Sequence, residues 1–205
     1  METLLGVRAA PGGSHPGRGT RNALIRLGAS VYLEIIAPDP NQPEPREPRW
    51  FGTDSTSNAR LATWAARSAD LDDLRRRAAN GGVQLGEVRT GSRRRTDGVM
   101  LSWRFTDPGI VAADGIVPFF IDWGPSPHPA HTLSEGASLV GLRAEHPDAP
   151  SVTQILRAVG LSMPVTQGTE STLIAVIDGR HGCVELRQAS GQPAMRPIED
   201  AGGVD

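Results

Sequence analysis

Lysine is absent from this chain; all 21 basic residues are arginine. That removes Schiff-base chemistry, a lysine general base and the phosphate lysine of a Walker-type loop. Codon preference in a GC-rich genome is the plain explanation of the bias. The single cysteine, Cys183, excludes an internal disulfide framework and suits a reducing compartment. No apolar run nears the ~20 residues of a membrane helix. The start, Met1-Glu2-Thr3-Leu4-Leu5-Gly6, has neither the charged opening nor the apolar core of a secretion signal. A net charge of −2 over 205 residues gives no electrostatic attraction to nucleic acid or to an anionic membrane. The expected location is cytoplasmic.

What is present is repetition. Three short apolar strands each carry one acid near the middle: Tyr32-Leu33-Glu34-Ile35-Ile36, Phe119-Phe120-Ile121-Asp122-Trp123 and Cys183-Val184-Glu185-Leu186. Internal repeats decide architecture before other signals do. Side chains alternate across a strand, so Glu34 faces away from Leu33 and Ile35, and Asp122 away from Ile121 and Trp123. Each strand thus offers an apolar back and an acid on its front. A sheet whose back is covered by helices and whose front curls around a cavity gathers those acids in one place.

Two helices are signalled. Ser68 or Asp70 caps one over residues 71–79, striped by Leu71, Leu74 and Ala78 and stopped by Gly81-Gly82. Ser151 caps another over 152–159, striped by Val152, Ile155, Leu156 and Val159 and ended by Gly160. Each follows a strand candidate (61–66, 138–143) and precedes three more (83–89, 99–106 and 117–123; then 164–167, 172–177 and 183–187). The unit is β-α-β-β-β, complete twice. The first copy has strands at 23–27 and 31–36 but only five residues before Gly6, little more than one helical turn.

The expected fold class is therefore α+β. Repeated β-α-β-β-β modules form curled mixed sheets around a cavity, with helices on the outer face and the first module truncated at its N-terminus. An uncovered apolar back or sheet edge would follow, favouring a homodimer. The expected organisation is a truncated first module over 1–37, a Pro-rich linker over 38–58, a second module over 59–124, a loop over 125–136, a third module over 137–188 and a disordered tail over 189–205.

The run Gly12-Gly13-Ser14-His15-Pro16-Gly17-Arg18-Gly19-Thr20-Arg21-Asn22-Ala23-Leu24-Ile25, followed by Tyr32-Leu33-Glu34, resembles the glyoxalase-like domain of the vicinal oxygen chelate superfamily. In the middle unit, Leu61-Ala62-Thr63-Trp64-Ala65, Gly91-Ser92-Arg93-Arg94-Arg95 and Pro118-Phe119-Phe120-Ile121-Asp122-Trp123 fit the same resemblance. It implies paired units curled around a cavity. It also implies, for metal-dependent members, a divalent ion that chelates two neighbouring substrate oxygens. Glu34 and Asp122 match the carboxylate ligands; the identity of the ion is not fixed. At the first-strand ligand position of the second unit stand Leu61, Ala62, Thr63 and Trp64, with no histidine, the donor that favours iron, zinc and nickel. The implied activities are metal-assisted lyase, isomerase or dioxygenase chemistry on a small oxygen-rich metabolite, or non-catalytic sequestration of a small molecule.

The catalytic candidates are Glu34, His15 and Asp122. The two acids are ligands or a general base in one reading, and a solvated face or partners of Arg26 or Arg104 in the other. His15, in a glycine-rich turn, is a proton donor or ligand, or else a turn histidine bonding backbone. Asn22 contacts a substrate oxygen or closes that turn. In a sequestering protein Tyr32, Trp64, Trp103 and Phe120 line the pocket. Arg93-Arg94-Arg95 is a solvated turn or an anchor for a substrate carboxylate. His181, Cys183 and Glu185 alternate, but a lone strand cysteine reads as core and His181 as a hairpin residue. The spacing from Gly12 to Gly17 is that of a phosphate loop, yet Arg18-Gly19 stands where Lys-Ser/Thr belongs, so no nucleotide cofactor is expected.

Overall fold

A computed structural model describes residues 1–54, 59–95 and 98–188, so the expected tail over 189–205 lies outside the described residues. Within them the chain is α+β, with mixed sheets and few helices. The first sheet joins β1 (Ala10–His15), β2 (Thr20–Gly28) and β3 (Val31–Pro38) in antiparallel order. β1 occupies what the glycine content suggests is a turn. A register shift between Pro11 and Gly13 lets the strand continue, and His15 pairs with Thr20. Alternation then sorts the side chains. Asn22, Leu24, Tyr32 and Glu34 share a front face, while Ile25, Leu27, Leu33 and Ile35 form the apolar back.

The second unit runs β4 (Ala65–Arg67), α2 (Leu71–Asn80), β5 (Val88–Arg94), β6 (Met100–Thr106) and β7 (Phe119–Asp122). Its sheet order is β4-β7-β6-β5, with β4 parallel to β7. The Asp70 carboxylate caps α2, accepting from the Asp73 amide at 2.9 Å. The buried stripe of Leu71, Leu74 and Ala78 then packs on Ala66 and Phe120. Opening strand and helix agree with the sequence to within a few residues, while β5 starts later than expected.

The third unit has the same element order but different neighbours. β8 (Ser138–His146), α3 (Ala149–Ala158), β9 (Val165–Gln167), β10 (Thr172–Gly179) and β11 (Gly182–Arg187) assemble as β11-β10-β8-β9. Here the opening strand pairs in parallel with the strand after the helix, Ala144 opposite Val165, rather than with the last strand. A β-α-β crossover can return the chain to either side of its first strand, and element order alone does not choose. Asp148, not Ser151, caps α3: its side chain accepts from the Ser151 amide at 3.1 Å, with Pro150 in the first turn.

The apolar back of the first sheet is covered, contrary to the expectation of an open face. Ile25 and Leu27 pack with Ile177, and Leu139, Val184 and Leu186 of the third unit close around them. The short helix α1 (Glu2–Leu5) seals one end, where the Arg180 amide donates to the Leu5 carbonyl at 2.8 Å. Among the described residues no helix is long and apolar enough to cross a membrane.

Phe120 is 1% exposed and sits between β7 and α2. Phe120→Ala is expected to destabilise the chain by about 3–5 kcal/mol in urea unfolding. A loss below about 1 kcal/mol would show that the ring lies outside the core.

Candidate functional site

The free edge of the first sheet, β1, lies alongside the free edge of the second, β5. Arg93 crosses this seam and donates from Nη1 to the Gly12 carbonyl. Gly12 is required there, because a Cβ would collide with the Asn22 side chain and crowd Arg93. The two front faces are thereby turned toward one another. Gly91 allows a second close approach: a Cβ on it would stand 2.5 Å from Trp103 Cε2, so the indole lies directly on the β5 backbone.

Four of the predicted residues meet on the first sheet's front. The His15 imidazole is buried, with Nδ1 2.9 Å from Thr20 Oγ1. Its Nε2 stands 3.4 Å from Asn22 Nδ2 and 3.9 Å from Glu34 Oε1. Asn22 Nδ2 also donates to Glu34 Oε1 at 2.8 Å. An amide nitrogen has hydrogens for both neighbours. Donation toward Nε2 leaves that nitrogen as acceptor and puts the ring proton on Nδ1, facing Thr20. Burial is the main cause that pulls the His15 pKa below the ordinary histidine value; Glu34 opposes it and Arg93 reinforces it. Neutral His15 therefore carries a lone pair on Nε2 beside a carboxylate whose side chain is 35% exposed.

Tyr32 completes this group. Burial, then the nearby Glu34 charge, raises the Tyr32 pKa, so its hydroxyl stays a hydrogen-bond donor. Its ring meets His128 edge-on at 5.5 Å, and His128 in turn meets Trp123 at 6.0 Å. The loop after β7 thus links the two front faces.

Asp122 does not join them. It pairs across the sheet with Arg104, and Arg104 reaches Asp72 of α2 at 2.7 Å. Phe120, two residues earlier on the same face, is in the helix-side core. The front of β7 is instead Phe119, Ile121 and Trp123; Phe119 stacks with Phe51 at 6.2 Å and Trp123 packs on Trp103 at 5.2 Å. The expected convergence of Glu34 and Asp122 is therefore corrected: the acid of the second unit stands on the outer, helix-bearing face. Trp64 and Phe120 do not line the site either. Trp64 Nε1 donates to the Ile116 carbonyl at 2.9 Å and its ring joins the core. Trp103 and Tyr32 do face inward.

Among the described residues, no three of His, Cys, Asp and Glu converge as a metal-ligand group. His15 and Glu34 supply a pair of donors, and Asp122 is on the wrong face to add to them. The residues present do not fit the divalent site that the resemblance implies, in which carboxylates of both units share one ion. In the third unit Glu185 pairs with Arg143 at 2.7 Å, and exposed Cys183 contacts Asp178.

Sequence reasoning missed several residues that build this face. The proline-rich segment is pinned as well as extended. Arg49 donates to the Gly19 carbonyl at 2.9 Å and pairs with Glu44 and Asp54. This clamp sets Trp50, in a 3-10 turn spanning Trp50–Gly52, 6.1 Å from His15 and 5.8 Å from Phe105, with Arg18 over its ring at 4.7 Å. No spacing signal marks Trp50. Phe105 shares a face of β6 with the expected Trp103, two residues away. Arg93, 5% exposed, is singled out from its neighbours only by strand parity.

The model of the glyoxalase-like domain family matches residues 1–160. The chain belongs to that family and, through it, to the vicinal oxygen chelate superfamily. Comparison with curated proteins gives no match. Among solved structures, a hypothetical protein from Staphylococcus aureus superposes with a TM-score of 0.55 at 12% identity, over 92% of this chain and 79% of that one. Identity at that level shows a shared fold.

The buried imidazole makes stability depend on pH. The His15 pKa is depressed in the folded chain below its unfolded value of about 6.5. Its contribution is full above that value and is lost as pH falls through the folded pKa. The urea midpoint is expected to drop between about pH 7 and pH 5, and His15→Gln to remove part of the drop. His128, whose pKa burial also lowers, accounts for part of the remaining slope. An unchanged slope in His15→Gln would show that the imidazole titrates as a free one.

Proposed function

We propose that the chain is an enzyme of the lyase or isomerase kind, which moves a proton on a small oxygen-rich metabolite held between the two front faces. The observation that carries this reading is neutral, buried His15, with Nε2 3.9 Å from Glu34 Oε1 and Asn22 between them. A carbon acid next to a carbonyl gives its proton to Nε2. The C–H bond breaks, an N–H bond forms, and the electron pair moves onto the carbonyl oxygen as an enolate. Glu34 stabilises the imidazolium so formed. The Tyr32 hydroxyl and the Arg93 guanidinium are the donors available to the new oxyanion. With a hydroxyl on the carbon that lost its proton, return of that proton to the former carbonyl carbon, with a second proton passing between the two oxygens, gives an isomerase; loss of a leaving group from the β carbon gives a lyase. Trp50 and Phe105 limit water around the imidazole.

The test is solvent exchange. A panel of small aldehydes, ketones, esters and oxo or hydroxy acids is incubated with the chain in D2O, and loss of C–H signals is followed by proton NMR. At least one member is expected to exchange. His15→Gln is expected to slow that exchange by about 100-fold and Glu34→Gln by about 10-fold, while Asp122→Asn stays within about 2-fold. Exchange that persists in His15→Gln overturns the assignment of the base. Saturable binding without exchange anywhere in the panel replaces the enzyme with a sequestering protein, its ligand against Trp103 and Tyr32.

A further inference from the structure

We infer that the cleft is built for a small hydroxy acid, with a single carboxylate on Arg93 and a neighbouring hydroxyl donated to Asn22 Oδ1. This rests on reading the front face as a substrate site and narrows what that site takes. Arg93 is 5% exposed, and its side-chain hydrogen bond within the protein goes to the Gly12 carbonyl. Among the described residues no acid closes on it as an ion pair. That contrasts with buried Arg49, which holds both Glu44 and Asp54. A guanidinium taken out of water without a carboxylate is costly unless an anion meets it. Its planar fork of N–H donors matches a carboxylate.

The second half of the assignment comes from Asn22. Its Nδ2 is committed to Glu34, whereas Oδ1 is buried with no hydrogen-bond partner. Gly12 holds Asn22 Oδ1 and Arg93 Nη1 side by side, since a Cβ at that one residue would touch both. An orphaned acceptor beside an unpaired cation calls for a ligand with an anionic oxygen and an O–H donor close together. Charge sets the limit. Glu34 already offsets Arg93, so a monoanion leaves one excess negative charge in the cleft and a phosphate dianion leaves two, which disfavours the dianion. Trp103, Phe105 and Trp50 give the rest of the ligand apolar walls.

Binding is read by saturation-transfer NMR on the intact chain. The probes are lactate and mandelate, their amides, and the deoxy acids propionate and phenylacetate. Lactate or mandelate is expected to bind at least about 10-fold more tightly than its amide and its deoxy analogue. Arg93→Gln is expected to weaken the acid by about 100-fold and to abolish the preference of the chain for acid over amide. Equal binding of acid and amide by the native chain overturns the anion seat without recourse to any variant. Equal binding of the hydroxy and deoxy acids overturns the role of Asn22 Oδ1, and failure of both hydroxy acids to bind overturns the whole assignment. The outcome is separable from the proposed reaction. Hydroxy-acid binding with no exchange removes the chemistry and keeps the seat. Exchange on neutral panel members at the rate of the acids keeps the chemistry and removes the seat.

Discussion

The contact of Arg93 with the Gly12 carbonyl is the constraint on which the site depends. Each sheet alone has an apolar back and a front that would face water. Joining β1 to β5 turns two open edges into a seam and points both fronts inward. The seam demands glycine at residue 12, because the space a Cβ would need is filled by Asn22 and Arg93. Structure and chemistry are thus coupled at one backbone position. The residue that ties the sheets together also carries the cleft's positive charge.

Desolvation does the remaining electrostatic work. It holds His15 neutral, so Nε2 keeps a lone pair, and it holds the Tyr32 hydroxyl protonated, so that group stays a donor. Glu34 opposes the first effect and reinforces the second. Exposing the imidazole to water would raise its pKa and leave a smaller fraction of it unprotonated and free to accept a proton. The Trp50 strap matters for this reason. Its position depends on Arg49, which is held by Glu44, Asp54 and the Gly19 carbonyl.

The fold was largely legible from the chain because repetition and helix stripes are local signals. Leu71, Leu74 and Ala78 mark α2 by their spacing, and Asp70 marks its start. Strand neighbours were not legible, since β8 and β4 open similar units yet pair differently. His15, Asn22 and Glu34 were recoverable from their motif. The role of Asp122 was not. Tyr32-x-Glu34 and Phe120-x-Asp122 are the same pattern, and alternation says only that each pair shares a face. Which face turns inward is decided by burial. Phe120 fits between β7 and α2, and that carries Asp122 outward to Arg104. Tyr32 meets His128 instead. A phase ambiguity of one residue moves every side chain to the other side of a strand.

That reversal makes the two halves of the cleft unlike. The first unit supplies the linked polar group of His15, Asn22 and Glu34, together with Tyr32. The second supplies a cation and aromatic walls, Arg93, Trp103 and Phe105. A symmetric cleft with an acid from each unit would concentrate negative charge and need a cation from outside to offset it. In this chain the outward turn of Asp122 leaves Glu34 as the acid among the groups that face Arg93, and a protein guanidinium stands in the cleft as fixed positive charge. The balance is close to neutral before any ligand enters. In the proposed reaction, proton transfer between a substrate carbon and a neutral imidazole would separate charge within such a site without changing its total, which suits a desolvated cleft.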